Sequence, residues 1–319
     1  MFTAAIPASS RILVVRLGAM GDIIHALPPA ASLKHSFPGS RLTWVVEPKW
    51  APLLEDNPFI DRVVLLRRDT LSGLLESWRS LRAERYDFAV DFQGLIKSAL
   101  VASAARPNRI FGFHHTQLRE RAAALFYSHR TLSRAAHVVE KNLDLASAAG
   151  AATLSRTFPL PAGHPEDALP PGDFVLASPL AGWRAKQWPI EHYQALGARL
   201  RNELGIPLVL DGPPGSGLDH CSRLPGLIHA TRRAAAVVGV DSGPLHLAAA
   251  LGKPGVAIYG PTDPARNGPY GDSLRVLRSP AAVTTYKRGA SIDESMSAIS
   301  PDHVFDALKG MLGERRSLV

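Results

Sequence analysis

Along the first half of the chain, short runs rich in β-branched residues alternate with helical spacings, the pattern of a doubly wound parallel sheet. Residues 11–17 (RILVVRL), 42–47 (LTWVVE), 62–66 and 86–91 (YDFAVD) read as strands. Between the last two, Leu74, Leu75, Trp78 and Leu81 recur at helical spacing and place one apolar face on residues 71–85. A helix is predicted over 138–149, stopping at Gly150, where glycine tolerates positive φ. Residues 158–172 (FPLPAGHPEDALPPG) are proline-rich without apolar periodicity and read as a linker. A second alternation follows, with strands at 174–178, 207–211, 236–240 and 255–259 and helices at 190–204 and 244–251. Ser300 and Pro301 open a last helix as N-cap and first helical residue. The pattern predicts an α/β fold of two domains, 1–157 and 173–319, joined by the linker 158–172 and flanking a cleft.

Composition narrows the class. The chain has 319 residues, of which 46% are hydrophobic. That share can bury a large core, so disorder is not expected, and the length exceeds the roughly 250–300 residues at which single cores stop growing, so two domains are expected. A single cysteine, Cys221, cannot form an intramolecular disulfide or a zinc–thiolate cluster and fits a reducing compartment. The opening MFTAAIPASS has neither the basic stretch nor the apolar run of a secretory signal. No apolar run approaches the roughly 20 residues of a membrane helix, so the expected location is cytoplasmic.

Charge changes the picture further. The formal net charge is +8, of which residues 1–165 carry +7 and residues 166–319 carry +1. The first-half excess includes Arg67, Arg68, Arg79, Arg82, Arg85, Arg106, Arg109, Arg119, Arg121, Arg130 and Arg134. Such asymmetry draws an anionic partner to one domain, although each arginine taken singly also reads as ordinary solvated surface. Nucleic acid is not the expected partner, because no recognition-helix or RNP signature is present.

Four segments carry candidate chemistry. Gly18-Ala19-Met20-Gly21-Asp22 follows the first strand, at the end that lines the ligand crevice of open α/β sheets, but lacks the G-x-G-x-x-G spacing of a dinucleotide site. Asp22 fits both a helix cap and a cleft-facing base. Asp241-Ser242-Gly243-Pro244-Leu245-His246 turns a buried-type strand into a helix whose free N–H groups and dipole suit a diphosphate. There Gly243 permits close approach, Asp241 can accept from sugar hydroxyls, and His246 fits both a phosphate donor and an ordinary helix histidine. Lys186, in RAKQWP, is a point charge for the same phosphates or an exposed loop lysine. Gln93 and Lys97 follow the strand ending at Asp91 and can face the cleft from the first domain. No D-x-D pair, H-E-x-x-H or cysteine cluster points to a metal.

Together these segments resemble the lipopolysaccharide heptosyltransferases of glycosyltransferase family 9. The resemblance runs through residues 11–28 (RILVVRLGAMGDIIHALP), 86–100 (YDFAVDFQGLIKSAL), 119–127 (RERAAALFY), 137–141 (HVVEK), 186–189 (KQWP) and 238–264 (VGVDSGPLHLAAALGKPGVAIYGPTDP). DFQGLIKSA favours type I members over type II. The resemblance implies a GT-B architecture, two Rossmann-like doubly wound domains facing an interdomain cleft. The first would bind acceptor and the second nucleotide sugar, with the last helix packing back on the first domain. It implies an ADP-heptose donor and no cofactor. It further implies an anionic lipid acceptor, Kdo-lipid A, with peripheral contact at the inner face of the cytoplasmic membrane of a Gram-negative bacterium.

Carried over residue by residue, the similarity makes Asp22 the catalytic base of an inverting transfer. Lys186, Asp241, Ser242, Gly243 and His246 become donor-binding, and Gln93, Lys97 and Arg119 acceptor-binding. The chain departs from the pattern at two places. Ala181 and Gly182 stand where the family has a hydroxyl pair, and the loop 212–217 (GPPGSG) carries no acid for the ribose, within a short stretch 211–232.

Overall fold

The computed structural model describes residues 9–285 and 288–316. The chain divides into two compact units, Met1–Pro161 and Ala162–Val319. The first contains β1 (Arg11–Val15), α1 (Met20–Ile24), α2 (Leu27–Ser36), β2 (Arg41–Val46), β3 (Arg62–Leu65), α3 (Leu71–Arg82), β4 (Phe88–Asp91), α4 (Ile96–Ala104), β5 (Arg109–Phe113), β6 (His129–Thr131) and α5 (Val138–Ala148). Its described strands form one parallel sheet in the order β3-β2-β1-β4-β5-β6. Ile12, Leu13, Val14 and Val15 are wholly buried, as a central parallel strand covered on both faces requires.

The second unit contains β7 (Val175–Ser178), α6 (Ile190–Leu204), β8 (Leu208–Gly212), β9 (His220–Cys221), α7 (Leu224–Arg233), β10 (Ala236–Val240), α8 (Gly243–Ala250), β11 (Gly255–Tyr259), α9 (Pro264–Asn267), β12 (Leu274–Arg278), α10 (Glu294–Ser297) and α11 (Pro301–Arg316). Its sheet runs β12-β11-β10-β7-β8-β9, again parallel. Numbered from its own first strand, each sheet has the order 3-2-1-4-5-6 of the Rossmann fold. The switch points, where successive crossovers leave in opposite directions, lie between β1 and β4 and between β7 and β10.

The core of the second unit gathers Val175, Val238, Val256 and Ile258 of the sheet with Trp188, Leu196, Phe305 and Leu308. α11 packs on α6, β11 and β12 of its own unit. Its start is capped as expected, with His303 N donating to Ser300 Oγ at 3.2 Å. Gly150, with φ 100°, follows α5. The proline-rich stretch is tied at both ends. Asn57 Nδ2 donates to Pro159 O at 2.9 Å in the first unit. In the second, Glu166 accepts from Arg223 N at 2.6 Å and Asp167 from Cys221 N at 2.9 Å.

One feature departs from the sequence reading. The helix predicted over 71–85 ends at Arg82, and the face it turns to the core is Gly73, Ser77 and Leu81; Leu74, Leu75 and Trp78 are exposed. Ser77 explains the orientation, since its Oγ accepts from Arg67 N (2.9 Å) and its one hydrogen is shared between Gly73 O (2.7 Å) and Leu65 O (3.0 Å). In the second unit, in keeping with the short stretch 211–232, no described helix lies between β8 and the 2-residue β9. Asp211 is drawn into the interior there, 2.7 Å from His220 Nδ1 and 3.2 Å from Ser222 Oγ. No described helix is long and apolar enough to cross a membrane.

Asp91, at the end of β4, is wholly buried and receives Tyr127 OH (2.7 Å), Ser98 Oγ (2.8 Å), Gln93 N (2.9 Å) and Gly94 N (3.2 Å). Burial pushes its carboxyl up, against the pull of these donors. Gly94 takes φ +69° to complete the turn, and a Cβ there would lie 2.5 Å from Leu118 Cδ2. Removing one donor from so desolvated an acceptor should cost roughly 1–3 kcal/mol. Tyr127→Phe is therefore expected to lower the urea midpoint without changing the denaturant slope, and an unaltered midpoint would show that the other three donors suffice.

Candidate active site

In the first unit the predicted residues collect at the carboxyl edge of the sheet, around the switch point. Arg16 ends the apolar run of β1 and is nearly buried. Its Nη1 donates to Phe92 O and its Nη2 meets Asp22 Oδ1, both at 2.6 Å. Asp22 Oδ2 accepts from Ala19 N at 3.2 Å, so the carboxylate is held from two sides while staying partly open to solvent. Gln93 crosses the other way, its Oε1 accepting from Leu17 N at 2.8 Å. Gly18 is needed here because a Cβ would fall 2.7 Å from Trp50 Nε1.

Glu47 follows β2, its amide donating to Leu17 O at 3.0 Å. Its carboxylate pairs with Arg68 and lies 3.7 Å from Lys97 Nζ. Arg119 is exposed, next to Glu120, which accepts from Ile96 N at 2.8 Å at the start of α4. Asp22, Gln93 and Lys97 are thus linked through Arg16, Leu17 and Glu47, and Arg119 joins them only through the neighbouring contact of Glu120.

In the second unit the same edge holds the other group. Lys186 lies in a 3-10 turn, Arg184–Lys186, between β7 and α6. The turn is anchored by Trp188, buried in the core with its Nε1 donating to Ile299 O at 2.9 Å. Lys186 Nζ crosses the switch point to Asp241 Oδ2 at 3.0 Å and lies 4.4 Å from the centre of the Trp183 ring. His246 Nε2 approaches Asp241 Oδ1 at 3.7 Å. Burial alone would raise the Asp241 carboxyl, but the His246 ring and the Lys186 ammonium outweigh it and bring it down to about 2.

Ser242 stands at the N-cap of α8 in an extended conformation, yet its side chain makes no capping bond. Its Oγ is buried and has no hydrogen-bond partner among the described residues. A hydroxyl without a partner among the described residues, at a helix N-terminus and flanked by an ammonium and an imidazole, has the donors and charge that suit a phosphate group. Gly182, nearby in the chain, sits in open space, with nothing within 4 Å of where a Cβ would be. Among the described residues, no group of three or more His, Cys, Asp or Glu comes together to hold a metal ion.

Two Rossmann-type parallel sheets with sites at their switch points are the GT-B fold of known heptosyltransferases. The chain is similar to Escherichia coli heptosyltransferase WaaC solved with ADP-2-deoxy-2-fluoro heptose, with TM-score 0.74, 26% identity, and coverage of 96% of this chain and 99% of that one. Escherichia coli ADP-heptose heptosyltransferase II shares the fold, with TM-score 0.78, 24% identity, and coverage of 96% and 99%. The profile of glycosyltransferase family 9 (heptosyltransferase) matches residues 74–219 and 222–294, and the chain belongs to this family of sugar-transferring enzymes. Among curated proteins it is similar to lipopolysaccharide heptosyltransferase 1 of Escherichia coli K12, 28% identical over 91% of this chain and 100% of the relative. The corresponding protein of Pseudomonas aeruginosa is 30% identical over 82% of each.

Sequence reasoning missed Arg16, Glu47 and Trp183. The first two share a signal: each is a charged residue closing an otherwise apolar strand run, at the edge where ligands bind. Trp183 gave none, because only the folded turn brings its ring under Lys186.

The depressed titration of Asp241 has a definite sign. Its folded-state value lies below the ordinary one of about 3.9, so the ionised cluster stabilises the fold above about pH 4 and loses that contribution as pH falls toward 2. In Lys186→Met the carboxyl stays buried without its ammonium and should protonate at higher pH. Acid unfolding followed by circular dichroism should then begin at higher pH than in the wild type. An unchanged acid midpoint would show that Lys186 does not carry the effect.

Proposed function

We propose that the protein transfers heptose from ADP-heptose to a Kdo hydroxyl of Kdo-lipid A, with inversion at the anomeric carbon. The observation that carries this reading is the cluster of Lys186, Asp241 and His246 beside Ser242 and the open N-terminus of α8. It offers positive charge and N–H donors for a diphosphate and, within 3.0 Å of the ammonium, a carboxylate for sugar hydroxyls. The departing diphosphate gathers negative charge. Fixed donors aimed at it from a site that excludes water are each worth roughly 3 kcal/mol, because they need no reorganisation as the charge develops. Gly243 lets the backbone come close to the same group.

Asp22 is the base in this reading. Arg16 fixes the orientation of its carboxylate, and its remaining exposure lets an acceptor hydroxyl approach. Asp22 takes the proton as the Kdo oxygen attacks the heptose, and ADP leaves from the opposite face. Gln93, Lys97 and Arg119 serve the acceptor, whose phosphates and carboxylates match the basic first unit. The acceptor is membrane-bound, so the enzyme works at the inner face of the cytoplasmic membrane as a peripheral protein.

One observation favours a second reading, a silent homologue that binds nucleotide or lipid without transfer. The acid of the β8 end, Asp211, is spent on His220 and Ser222 in the interior instead of facing a ribose.

Turnover of ADP-heptose on Kdo-lipid A separates the two. Transfer predicts that Asp22→Ala lowers kcat by about 10²–10⁴ while ADP still raises the melting temperature as in the wild type, and by more than GDP or UDP does. ADP release no faster in the wild type than in Asp22→Ala would sink the transfer reading.

A further inference from the structure

The amphipathic stripe of α3 faces the wrong way for a core helix. Leu71, Leu74, Leu75 and Trp78 stand at i, i+3, i+4 and i+7 and are 81%, 42%, 56% and 44% exposed. The helix is seated instead by Gly73, Ser77 and Leu81. α3 lies against α4, where Leu100 is 50% exposed, and α4 lies against the 3-10 segment Arg121–Phe126, where Leu125 is 79% exposed. Single exposed leucines are ordinary, but a full apolar stripe on one helix with more on its neighbours marks an interaction surface.

The charges around the stripe select the partner. Arg79 and Arg82 lie in its last turn, with Arg67 and Arg68 just before the helix and Arg85 just after it. The Arg82 guanidinium lies 4.0 Å from the centre of the Trp78 ring, and its Nε donates to Ala104 O at 3.1 Å. Glu76 is the sole acid of α3 and already lies 3.9 Å from Arg67. Residues 67–85 hold five arginines against three acids, Asp69, Glu76 and Glu84, and Glu84 is already paired with Arg41 and Arg62, so a second copy of the chain would set a net-positive rim against itself. An anionic bilayer takes both parts: leucines enter the boundary between headgroups and acyl chains, tryptophan sits at headgroup level, and arginines reach up to lipid phosphates.

We propose that the outward face of α3 docks the first unit on an anionic lipid bilayer. The inference deepens the function proposed above and rests on it for the identity of the membrane. α3 begins at the carboxyl edge of the first sheet, where Arg68 and Lys97 share Glu47, so docking sets Asp22's edge of the unit beside the lipid surface.

The test is co-sedimentation with vesicles of phosphatidylethanolamine and phosphatidylglycerol, against vesicles of phosphatidylcholine alone. The wild type should bind the anionic vesicles, more weakly as salt rises, and Leu71→Glu/Leu75→Glu should bind them at least about tenfold less. Both positions are exposed, so the variant should melt like the wild type. Should it fail to fold, quenching of wild-type emission by bromine-labelled acyl chains, lost in Trp78→Phe, reads the same contact. Equal binding by wild type and variant, no binding by the wild type, or self-association abolished in the variant without vesicle binding would each overturn the proposal. An acceptor lacking acyl chains keeps the two ideas apart. If neither protein transfers heptose to it while vesicle binding persists, transfer fails and docking stands; if both transfer and neither binds vesicles, docking fails alone.

Discussion

In each unit a basic side chain from the loop after the first strand crosses the switch point to the loop after the fourth. Arg16 reaches Phe92 O beyond β4, and Lys186 reaches Asp241 beyond β10. These loops diverge, and in the first unit Gln93, accepting from Leu17 N at 2.8 Å, is a second tie across the gap. Each bridge also fixes a carboxylate assigned a chemical task, Asp22 by Arg16 and Asp241 by Lys186. Placing a cation in so dry a position costs solvation free energy. The cost is offset only because partners wait on both sides, and for that reason the bridges define geometry more than they add stability.

The two bridges differ in what they leave available. Arg16 is the more committed, since one carbonyl and one carboxylate take both terminal nitrogens. A compact ammonium on a flexible stem is less directional, so Lys186 can turn from Asp241 toward a phosphate without losing the carboxylate altogether. The arginine therefore suits a fixed base, and the lysine suits a seat that must accept and release an anion.

Much of the fold was legible in the sequence because the central strands are buried on both faces. Residues 236–240 and 255–259 and the helix 190–204 have the bounds expected from pattern alone. Among the unread elements are β5 (Arg109–Phe113), β12 (Leu274–Arg278) and the helices α2, α4 and α7, all partly apolar, and two strands whose residues carry no such signal. β6 is the polar triplet His129–Thr131 at a sheet edge, and β9 has 2 residues. α3 was legible as a helix but not in its orientation, because periodicity shows that a face is apolar and not which way it turns. Ser77, with three backbone partners, decided that. The site was legible where glycine and charge mark a strand end. Its bridging residues were not, since Arg16 and Glu47 matter only through contacts distant in sequence.

The two departures from the family pattern differ in how they could be undone. At Gly182 only a side chain is missing, and the backbone has not closed over the space it would occupy. Between β8 and β9 no described helix intervenes, and Asp211 is bonded in the interior to His220 and Ser222. The first is a matter of side chains alone, at Ala181 and Gly182. The second is a matter of backbone, held by hydrogen bonds in the interior that no one side-chain replacement rewrites.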